Sequence, residues 1–503
     1  MHICARCNYL DVRAFLLKCW YSCLKQSLAE IAIVAANAKG GPMSTQLLSI
    51  AAIAVYICAV VLVGLLGRKV ARSGDMFNVF GRRAHSLRAA SAYLGLIGAG
   101  ELLTFSQLGY DNGLDVLWLL VGFAFGFLVL LLLSEKVRVA AKEREINTLV
   151  GYFRTRFGLL ASAGLTMVSL VSLGSLLVIQ FILGADLIAS VTGLSTDGAA
   201  IIIAVVIASY LIPSGIVAVL STDVLRAVMM TAVLIVVILV TVLSLPGLDL
   251  GRANTVPLGN LDRVSFFVLG VFGTFCGADV WQTVLASQSQ KVVRRSLIAA
   301  GLGFICIGLL IALIGIITRT QIPIIQDQSP ALIVAIKDVF PGPLSPLVAI
   351  LITGSVMATA DTEVWVISSM LLSNFLPSAS GSSQSIEHFQ SKVKGLTQLL
   401  IPVVLIGAVV LAHFSRSGQA LYQGLLILLT ILGPSHFGIV LLNPSRFSIV
   451  LSLWAGIVGF FVISWNFSFA IPVQWSLVPL GISTIGYIVG ALFGDDSSKR
   501  WRS

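Results

Sequence analysis

The sequence contains about 13 separate apolar runs, and each is long enough to cross a lipid bilayer as a helix. A spanning helix needs roughly 20 mostly apolar residues, and its backbone groups must be hydrogen-bonded internally because hydrocarbon offers no partner. The predicted spans are 47–66, 88–108, 114–134, 159–188, 198–213, 223–245, 265–286, 296–318, 345–374, 396–414, 418–440, 447–465 and 474–494. We therefore predict an all-α integral membrane protein with about 13 transmembrane helices.

The composition agrees with this prediction. Hydrophobic residues make up 57% of the chain and charged residues 11%, with a mean hydropathy of +1.00. Soluble domains carry about 25% charged residues, so a water-soluble protein is excluded. The spans consume most of the 503 residues, which leaves no room for a large appended soluble enzyme.

Lys and Arg residues are concentrated in alternate loops between the predicted spans. They cluster in 67–87, 135–156, 291–295 and 392–394 and in the tail 499–502, whereas the opposite loops hold few. Basic loops mark the cytoplasmic side, so we expect the N-terminus outside and the C-terminus in the cytoplasm, in a bacterial inner membrane. This orientation accounts for the net charge of +10 without a nucleic-acid partner.

The first 42 residues do not fit this orientation, because their five cations would lie on the outer side. We interpret Met43 as the true start of translation. An amphipathic surface helix and a targeting segment remain alternatives. The predicted division is an N-terminal extension at 1–42, a first span and loop at 43–87, a ten-helix core at 88–440, and C-terminal spans with a basic tail at 441–503.

Two spans contain closely spaced glycines, which is typical of interrupted helices. The second span has Gly95, Gly98 and Gly100, and the seventh has Gly270, Gly273 and Gly277. Interrupted helices free backbone groups that can bind ions and solutes near the middle of a membrane. The spacing suits two inverted five-helix repeats that begin at the second and seventh spans. The alternative is that the glycines only permit close helix packing.

Acidic residues inside apolar runs are candidate functional groups, because a carboxylate in hydrocarbon is costly. Glu101 and Asp279 each follow one of the two glycine clusters. The other candidates are Asp186, Asp223, Asp361 and Glu363. Simpler interpretations remain open: Asp223 caps a helix that starts there, Asp186 lies near an outer end, and Glu363 snorkels or pairs.

No catalytic residue set is visible, so we do not expect an enzyme. We interpret the histidines as interfacial residues: His2, His85, His388, His413 and His436. Cys4 and Cys7 have metal-ligand spacing but lack a second such pair, so no zinc site is predicted. No phosphate-binding loop is present, and we expect no cofactor.

Five stretches between residues 98 and 365 resemble the sodium:solute symporter family. They are GAGELLTFSQLGYDNGL at 98–114, INTLVGYFRTRFG at 146–158, GIVAVLSTDVLRAV at 215–228, WQTVLASQSQKVVRRS at 281–296 and GSVMATADTEVW at 354–365. Arg226 stands where the family usually has Gln, and Thr283 where it has Arg. The resemblance implies the inverted-repeat fold of the bacterial leucine transporter, with five-plus-five helices and broken helices in the core.

The resemblance also implies a sodium site. In the family, two adjacent hydroxyls on the eighth core helix act with backbone carbonyls, which suits a hard cation. Carried over to this chain, the ligands are the carbonyls of Leu94, Ile97 and Ser355 and the hydroxyl of Thr359. Ala358 stands in place of the second hydroxyl.

We expect a secondary transporter that couples sodium to a small organic solute, within membrane lipid. The expected solute-binding residues are Glu101, Gln107, Asp279 and Gln282, and the expected coupling or gating residues are Asp223 and Asp361. The alternatives are proton-coupled or uncoupled transport, and a solute sensor without transport. Amino acids, sugars, carboxylates, vitamins and ureides all remain possible solutes, and the sequence leaves the oligomeric state open.

Overall fold

A computed structural model of the chain describes residues 45–71, 76–77, 80–144, 146–245, 256–325, 329–340, 342–375, 383–414, 418–441, 444–468 and 471–493. Residues 1–42, Met43 and the basic tail after Phe493 lie outside them, so the predictions about both ends stay predictions.

The first half of the described chain forms eight helices, which follow the apolar runs closely. They are α1 (Thr45–Leu66), α2 (Ser86–Leu94), α3 (Ala99–Asn112), α4 (Leu117–Glu143), α5 (Leu149–Phe157), α6 (Leu159–Thr192), α7 (Thr196–Ser214) and α8 (Ile216–Ser244). The short α5 lies between the third and fourth predicted spans. It begins at Thr148, whose side chain accepts a hydrogen bond from the Gly151 amide at 3.0 Å.

The second half forms ten helices, of which the short α12 continues into one π-helical turn at Ala335–Val339. They are α9 (Asn260–Phe275), α10 (Ala278–Ala286), α11 (Gln290–Gln321), α12 (Ala331–Val334), α13 (Ser345–Phe375), α14 (Ser383–Phe414), α15 (Gly418–Thr430), α16 (Gly433–Leu441), α17 (Arg446–Asn466) and α18 (Val478–Phe493).

The number of membrane spans agrees with the prediction. In the described part of the chain, 11 helical stretches are long and apolar enough to cross a membrane, and the bent pair α9 and α10 makes 12. One stretch, Ala99–Glu143, has 45 residues and would be about 68 Å long, twice the thickness of the hydrocarbon core. The chain turns within it at Gly113, whose φ is +61°. It therefore contributes to two spans, which gives 13.

Two of the spans are interrupted helices, and their breaks lie at the positions that the glycine clusters indicate. In the second span, α2 ends at Leu94 and α3 begins at Ala99. In the seventh span, α9 ends at Phe275 and α10 begins at Ala278. The start of the second span and the end of the seventh are joined, because Ala84 exchanges backbone hydrogen bonds of 3.1 Å with Ala286 and Gln288. The two interrupted helices thus lie side by side with their breaks facing the same interior volume.

Some of the glycines serve close helix packing, as the alternative interpretation held. A Cβ atom at Gly270 would lie 2.5 Å from the Leu119 carbonyl oxygen, so α9 approaches α4 at backbone distance. Gly277, by contrast, lies at the break itself. The glycine cluster of the seventh span therefore combines one packing contact with one interruption.

The helices differ in how deeply they lie in the bundle. In α13, 89% of the most apolar window is buried, against 22% in α1. A helix that is apolar on all sides and mostly buried belongs to the centre of a bundle. The chain therefore places the motif at 354–365 in the middle of the molecule, where its polar side chains need partners inside the protein.

Two sequence interpretations were wrong. Asp223 does not cap a helix, because α8 already begins at Ile216, after a turn at Gly215 with φ of +56°. His436 is not interfacial: its side chain is buried and packs against the rings of Phe153, Phe275 and Trp281. The first error concerns where a helix begins, and the second concerns which residues are covered by neighbouring helices. The apolar runs of the sequence show neither.

Candidate functional site

The break in the second span is held open by side chains. Gly98 has an extended backbone, and its amide donates to Glu101 Oε2 at 2.9 Å. The next amide, that of Ala99, donates to Gln180 Oε1 at 2.8 Å. A Cβ atom at Gly98 would overlap the Thr359 hydroxyl and the Gln180 carboxamide. The break therefore requires glycine at position 98, and it brings α3, α6 and α13 together.

The break in the seventh span is arranged in a similar way. The helices on its two sides are bent by 42°. Asp279 Oδ1 accepts a hydrogen bond of 2.8 Å from the Val280 amide, and the Trp281 indole donates to the Phe275 carbonyl at 2.9 Å. Glu101 and Asp279 thus both lie in the first turn of a half-helix, where the helix dipole stabilises a negative charge.

A cavity lies between the two breaks and encloses about 590 Å³ of empty space, its open mouth included. The carboxylates of Glu101 and Asp279, which the sequence predicted as solute-binding groups, both line it. Its polar lining consists of Glu101, Ser169, Ser172, Thr274, Asp279 and Tyr422. The rest of the lining is apolar or glycine and includes the rings of Phe123 and Phe304. Pockets that bind small molecules are mostly apolar with a few converging polar groups, which describes this cavity.

Three hydroxyl groups in the cavity wall lack a hydrogen-bond partner among the described residues. Ser169, Ser172 and Tyr422 are each at most 2% exposed, and none of their oxygens makes a hydrogen bond of standard geometry. The Tyr422 hydroxyl nevertheless lies beside the Glu101 carboxylate. Buried polar groups without a partner are uncommon, so these hydroxyls indicate a place where water or a solute binds.

Glu363 is a third carboxylate close to this cavity. It lies on α13, its side chain is fully buried, and neither oxygen has a hydrogen-bond partner among the described residues. Its carboxylate is near enough to interact with the charges of Glu101, Asp279 and Asp361. The sequence offered snorkelling or pairing for Glu363. The structure places it in the interior, with acidic neighbours.

The two glutamines expected to bind the solute do not line this cavity. Gln107 binds an outer segment: its Nε2 donates to Asp111 at 3.0 Å and its Oε1 accepts from the Ala331 amide at 2.9 Å. Gln282 is buried in the wall of a smaller, neighbouring cavity of about 250 Å³. That cavity shares Ser169 and Ala278 with the first and is closed by residues 148–150 at the start of α5.

Thr359, one of the expected sodium ligands, lies against the break of the second span. Thr359 Oγ1 donates to the Gly95 carbonyl oxygen at 2.9 Å and lies 3.3 Å from the Ser355 carbonyl oxygen. The sequence placed the Leu94 carbonyl here, and that group instead accepts the Ile97 amide at 3.1 Å. Oxygens from the break and from α13 thus converge around one buried hydroxyl.

Asp223 and Asp361 belong to a separate buried cluster behind the break. Asp361 Oδ2 accepts hydrogen bonds from Arg226 Nη1 at 2.7 Å and from the Tyr210 hydroxyl at 2.6 Å. Arg226 Nη1 also lies 3.3 Å from Asp223 Oδ1, and Nη2 donates to the Tyr210 hydroxyl at 2.8 Å. All four side chains are at most 2% exposed. The departure from the family at position 226 therefore places a guanidinium between two carboxylates.

Sequence reasoning missed several residues of these sites. Gln180, Ser169, Ser172 and Tyr422 were not singled out, although Gln180 interrupts the apolar run LLVIQFILG on α6. A lone amide in such a run is a signal, because it needs a partner in hydrocarbon. Serine gives no comparable signal, because in a membrane helix its hydroxyl can bond to the helix's own backbone, and a tyrosine ring is largely apolar and fits an apolar run.

Comparisons with known proteins agree with this architecture. A model of the sodium:solute symporter family matches residues 79–459. A Na⁺-coupled sialic acid symporter, solved in a substrate-bound outward-open state, is 15% identical, with 89% of this chain and 98% of that chain covered and a TM-score of 0.72. A nucleobase-cation-symport-1 family transporter, solved in a closed conformation with bromovinylhydantoin bound, is 14% identical, with 84% and 97% covered and a TM-score of 0.54. At these identities the likeness establishes the fold, and the predicted fold class is confirmed.

Proposed function

Because the chain belongs to the sodium:solute symporter family and is therefore a multi-pass secondary transporter, we propose that it couples the uptake of a small organic solute to sodium. The solute binds in the cavity between the two breaks, and sodium binds beside Thr359. Rocking of one helix bundle against the other then exposes these sites to each side of the membrane in turn.

The observation that carries the sodium assignment is the convergence of oxygens at Thr359. Its hydroxyl lies 2.9 Å from the Gly95 oxygen and 3.3 Å from the Ser355 oxygen, on two elements that are distant in sequence. Sodium, a hard cation, takes oxygen ligands, and here it would coordinate the neutral Thr359 hydroxyl and the two carbonyl oxygens in place of the hydrogen bonds between them. Asp223 and Asp361 lie directly behind the site, because a Cβ atom at Gly95 would be 3.3 Å from Asp223 Oδ1.

The two neighbouring cavities support alternating access. They share the side chains of Ser169 and Ala278, and the smaller one reaches the cytoplasmic helix α5. Movement of α5 away from α10 and α13 would join the cavities into a path to the cytoplasm. In this scheme Gln282 lines the exit rather than the binding site, and Gln107 fixes the outer segment. The predicted topology, with a cytoplasmic C-terminus in a bacterial inner membrane and a core at 88–440, fits the same path.

The sodium assignment can be tested without knowing the solute. The full chain is purified, and its thermal stability is measured in sodium chloride and in potassium chloride. A bound ion stabilises the folded state by mass action, so sodium should raise the melting temperature more than potassium. Thr359→Val keeps the side-chain shape but removes the oxygen, and it should weaken sodium binding by about tenfold or more.

Thr362→Val is the matched control on the same helix. Its hydroxyl donates to the Ala358 carbonyl at 3.1 Å and makes no contact with the break. It should leave the sodium response intact. Equal shifts in sodium and potassium, or an unchanged response in Thr359→Val, would contradict the assignment.

Proton coupling is a second candidate, and the carboxylate of Glu363 favours it. A buried carboxyl group without a hydrogen-bond partner is most easily accommodated in its neutral, protonated form. Transport by reconstituted protein that follows an imposed pH gradient, ignores sodium and is lost in Glu363→Gln would select this candidate. Sodium-driven transport that Glu363→Gln leaves intact would exclude it.

A further inference from the structure

Acidic side chains line the cavity between the two breaks. Glu101 and Asp279 line it, and Glu363 lies within electrostatic reach of both. No Lys, Arg or His among the described residues lines the cavity. The buried guanidinium of Arg226 is already bound to Asp361, Asp223 and Tyr210. No cationic side chain in the described part of the chain therefore acts as a counter-ion at this place.

The geometry of the two breaks keeps both carboxylates directed at the cavity. Glu101 accepts the Gly98 amide and Asp279 accepts the Val280 amide, each at the start of a half-helix. Helix N-termini favour the charged form of a carboxylate, so these bonds stabilise negative charge without neutralising it. A positively charged ligand would supply the missing counter-charge in a volume of low dielectric.

The remainder of the lining fits an organic cation better than an inorganic one. The rings of Phe123, Phe304 and Tyr422 border the cavity. Aromatic faces attract ammonium groups and also contact alkyl carbon. A bare metal ion would need a shell of oxygens, and the described residues offer no group of three or more acidic, histidine or cysteine side chains arranged for a metal.

The unpartnered hydroxyls of Ser169 and Ser172 provide an independent indication of a ligand. Both lie on the cavity wall, both are buried, and neither has a hydrogen-bond partner among the described residues. They are three residues apart on α6, which is less than one helical turn. A solute that carries a positive charge at one end and a hydroxyl or amine at the other would satisfy both groups.

We propose that the transported solute is a small organic cation, an amine or a quaternary ammonium compound. Its positive charge lies between Glu101 and Asp279, against the rings of Phe123 and Phe304, and its polar end bonds to Ser169 and Ser172. This inference rests on the proposed transport function, and it assigns to that function the chemical class of its substrate.

The test compares charged probes with neutral ones of matched shape. The probes are choline, ethanolamine and putrescine, and the neutral counterparts are the carbon isostere of choline, ethylene glycol and butanediol. Thermal stabilisation of the purified full chain is measured across a concentration series of each. At least one cation should bind about tenfold or more tightly than its neutral counterpart, because only the cation gains the two charge contacts.

Two conservative variants locate the effect. Glu101→Gln and Asp279→Asn each keep an oxygen that can accept the Gly98 or Val280 amide, so both should fold. Each should weaken binding of the cation by about tenfold or more while leaving the neutral counterpart unaffected. The control is Asp197→Asn, which removes an exposed carboxylate paired with His413 at 3.1 Å and should change neither.

The possible outcomes distinguish a failure of the proposed substrate class from a failure of the proposed sodium-coupled transport. Binding of neutral counterparts as tight as that of the cations, undiminished cation binding in both variants, or no stabilisation by any of the three cations would overturn the inference. A sodium-specific stabilisation alongside any of these results would leave the sodium-coupled transporter standing. Cation binding that depends on Glu101 and Asp279 without a sodium response would instead uphold the substrate class and remove sodium from the mechanism.

Discussion

The protein contains two buried clusters of acidic side chains that differ in one respect, the presence of a cation. Behind the break of the second span, Asp223 and Asp361 share the guanidinium of Arg226 and the hydroxyl of Tyr210. Beside the cavity, Glu101, Asp279 and Glu363 have no cationic partner among the described residues. The two clusters share one helix, since Asp361 and Glu363 are two residues apart on α13.

This difference separates a structural role from a binding role. A buried ion pair that is satisfied by hydrogen bonds ties three helices together, and removing one partner leaves a costly unpaired charge. A cluster without its counter-ion contributes little to stability and instead attracts a ligand of opposite charge. The first cluster should therefore respond to mutation in stability, and the second in binding.

The largest effect on stability should follow from removal of the shared cation. Arg226→Met leaves Asp223 and Asp361 buried without a counter-charge and should lower the free energy of unfolding by about 3–5 kcal/mol. The measurement is thermal or denaturant unfolding of the purified protein. A loss below about 1 kcal/mol would mean that the guanidinium is not what stabilises the cluster.

A smaller loss is expected from Asp361→Asn. The amide keeps one acceptor for Arg226 or Tyr210 but removes the charge, so the free energy of unfolding should fall by about 2 kcal/mol. The same unfolding measurement applies. Stability equal to that of the unmodified protein would contradict the role of Asp361 as the main partner of Arg226.

Tyr210→Phe removes a single hydroxyl from the same cluster. That hydroxyl donates to Asp361 at 2.6 Å and accepts from Arg226 at 2.8 Å, and both partners are charged. We expect a loss of about 1.5 kcal/mol, because hydrogen bonds to charged groups contribute more than neutral ones. The Tyr93→Phe variant is a suitable control, since the Tyr93 hydroxyl is buried and makes no hydrogen bond of standard geometry.

The smallest effect on stability is expected from Glu363→Gln. Glu363→Gln removes a carboxylate whose oxygens have no hydrogen-bond partner among the described residues. Stability should change by less than about 0.5 kcal/mol or rise, because no protein contact is lost. Asp361→Asn, two residues earlier, is its matched counterpart. If the two amide variants lose equal stability, the distinction between the clusters is wrong.

The sequence predicted the frame of the fold and part of the candidate sites. The apolar runs and glycine clusters indicated the spans and both breaks, because hydrocarbon allows few alternatives to a helix and each exception needs a special residue. The family resemblance located Thr359 opposite the first break. The carbonyl that faces Thr359 in the structure is that of Gly95, one residue after Leu94, because the backbone of an interrupted helix does not follow helical periodicity. The sodium ligands themselves stay a prediction.

The sequence did not predict which side chains of different helices contact each other. Gln107 was grouped with Glu101 because both follow the break, yet 6 residues of helix carry Gln107 outward to the Ala331 amide. Arg226 was noticed only as a departure from the family, and its contacts with Asp361 and Tyr210 arise from packing among α7, α8 and α13. The contact of Arg226 with Asp361 joins residues 135 positions apart and that of Gln107 with Ala331 joins residues 224 apart, and no local pattern encodes them.

By itself the sequence determined that this protein is a bundle of membrane-spanning helices with two interruptions, since the hydrophobic period and the cost of unbonded backbone groups act locally along the chain. It also determined the inventory of buried charges. Only the tertiary structure decided which carboxylate received the guanidinium of Arg226 and which were left facing a cavity. The reason is that the electrostatic environment of a buried group depends on helices that are close in space and distant in sequence.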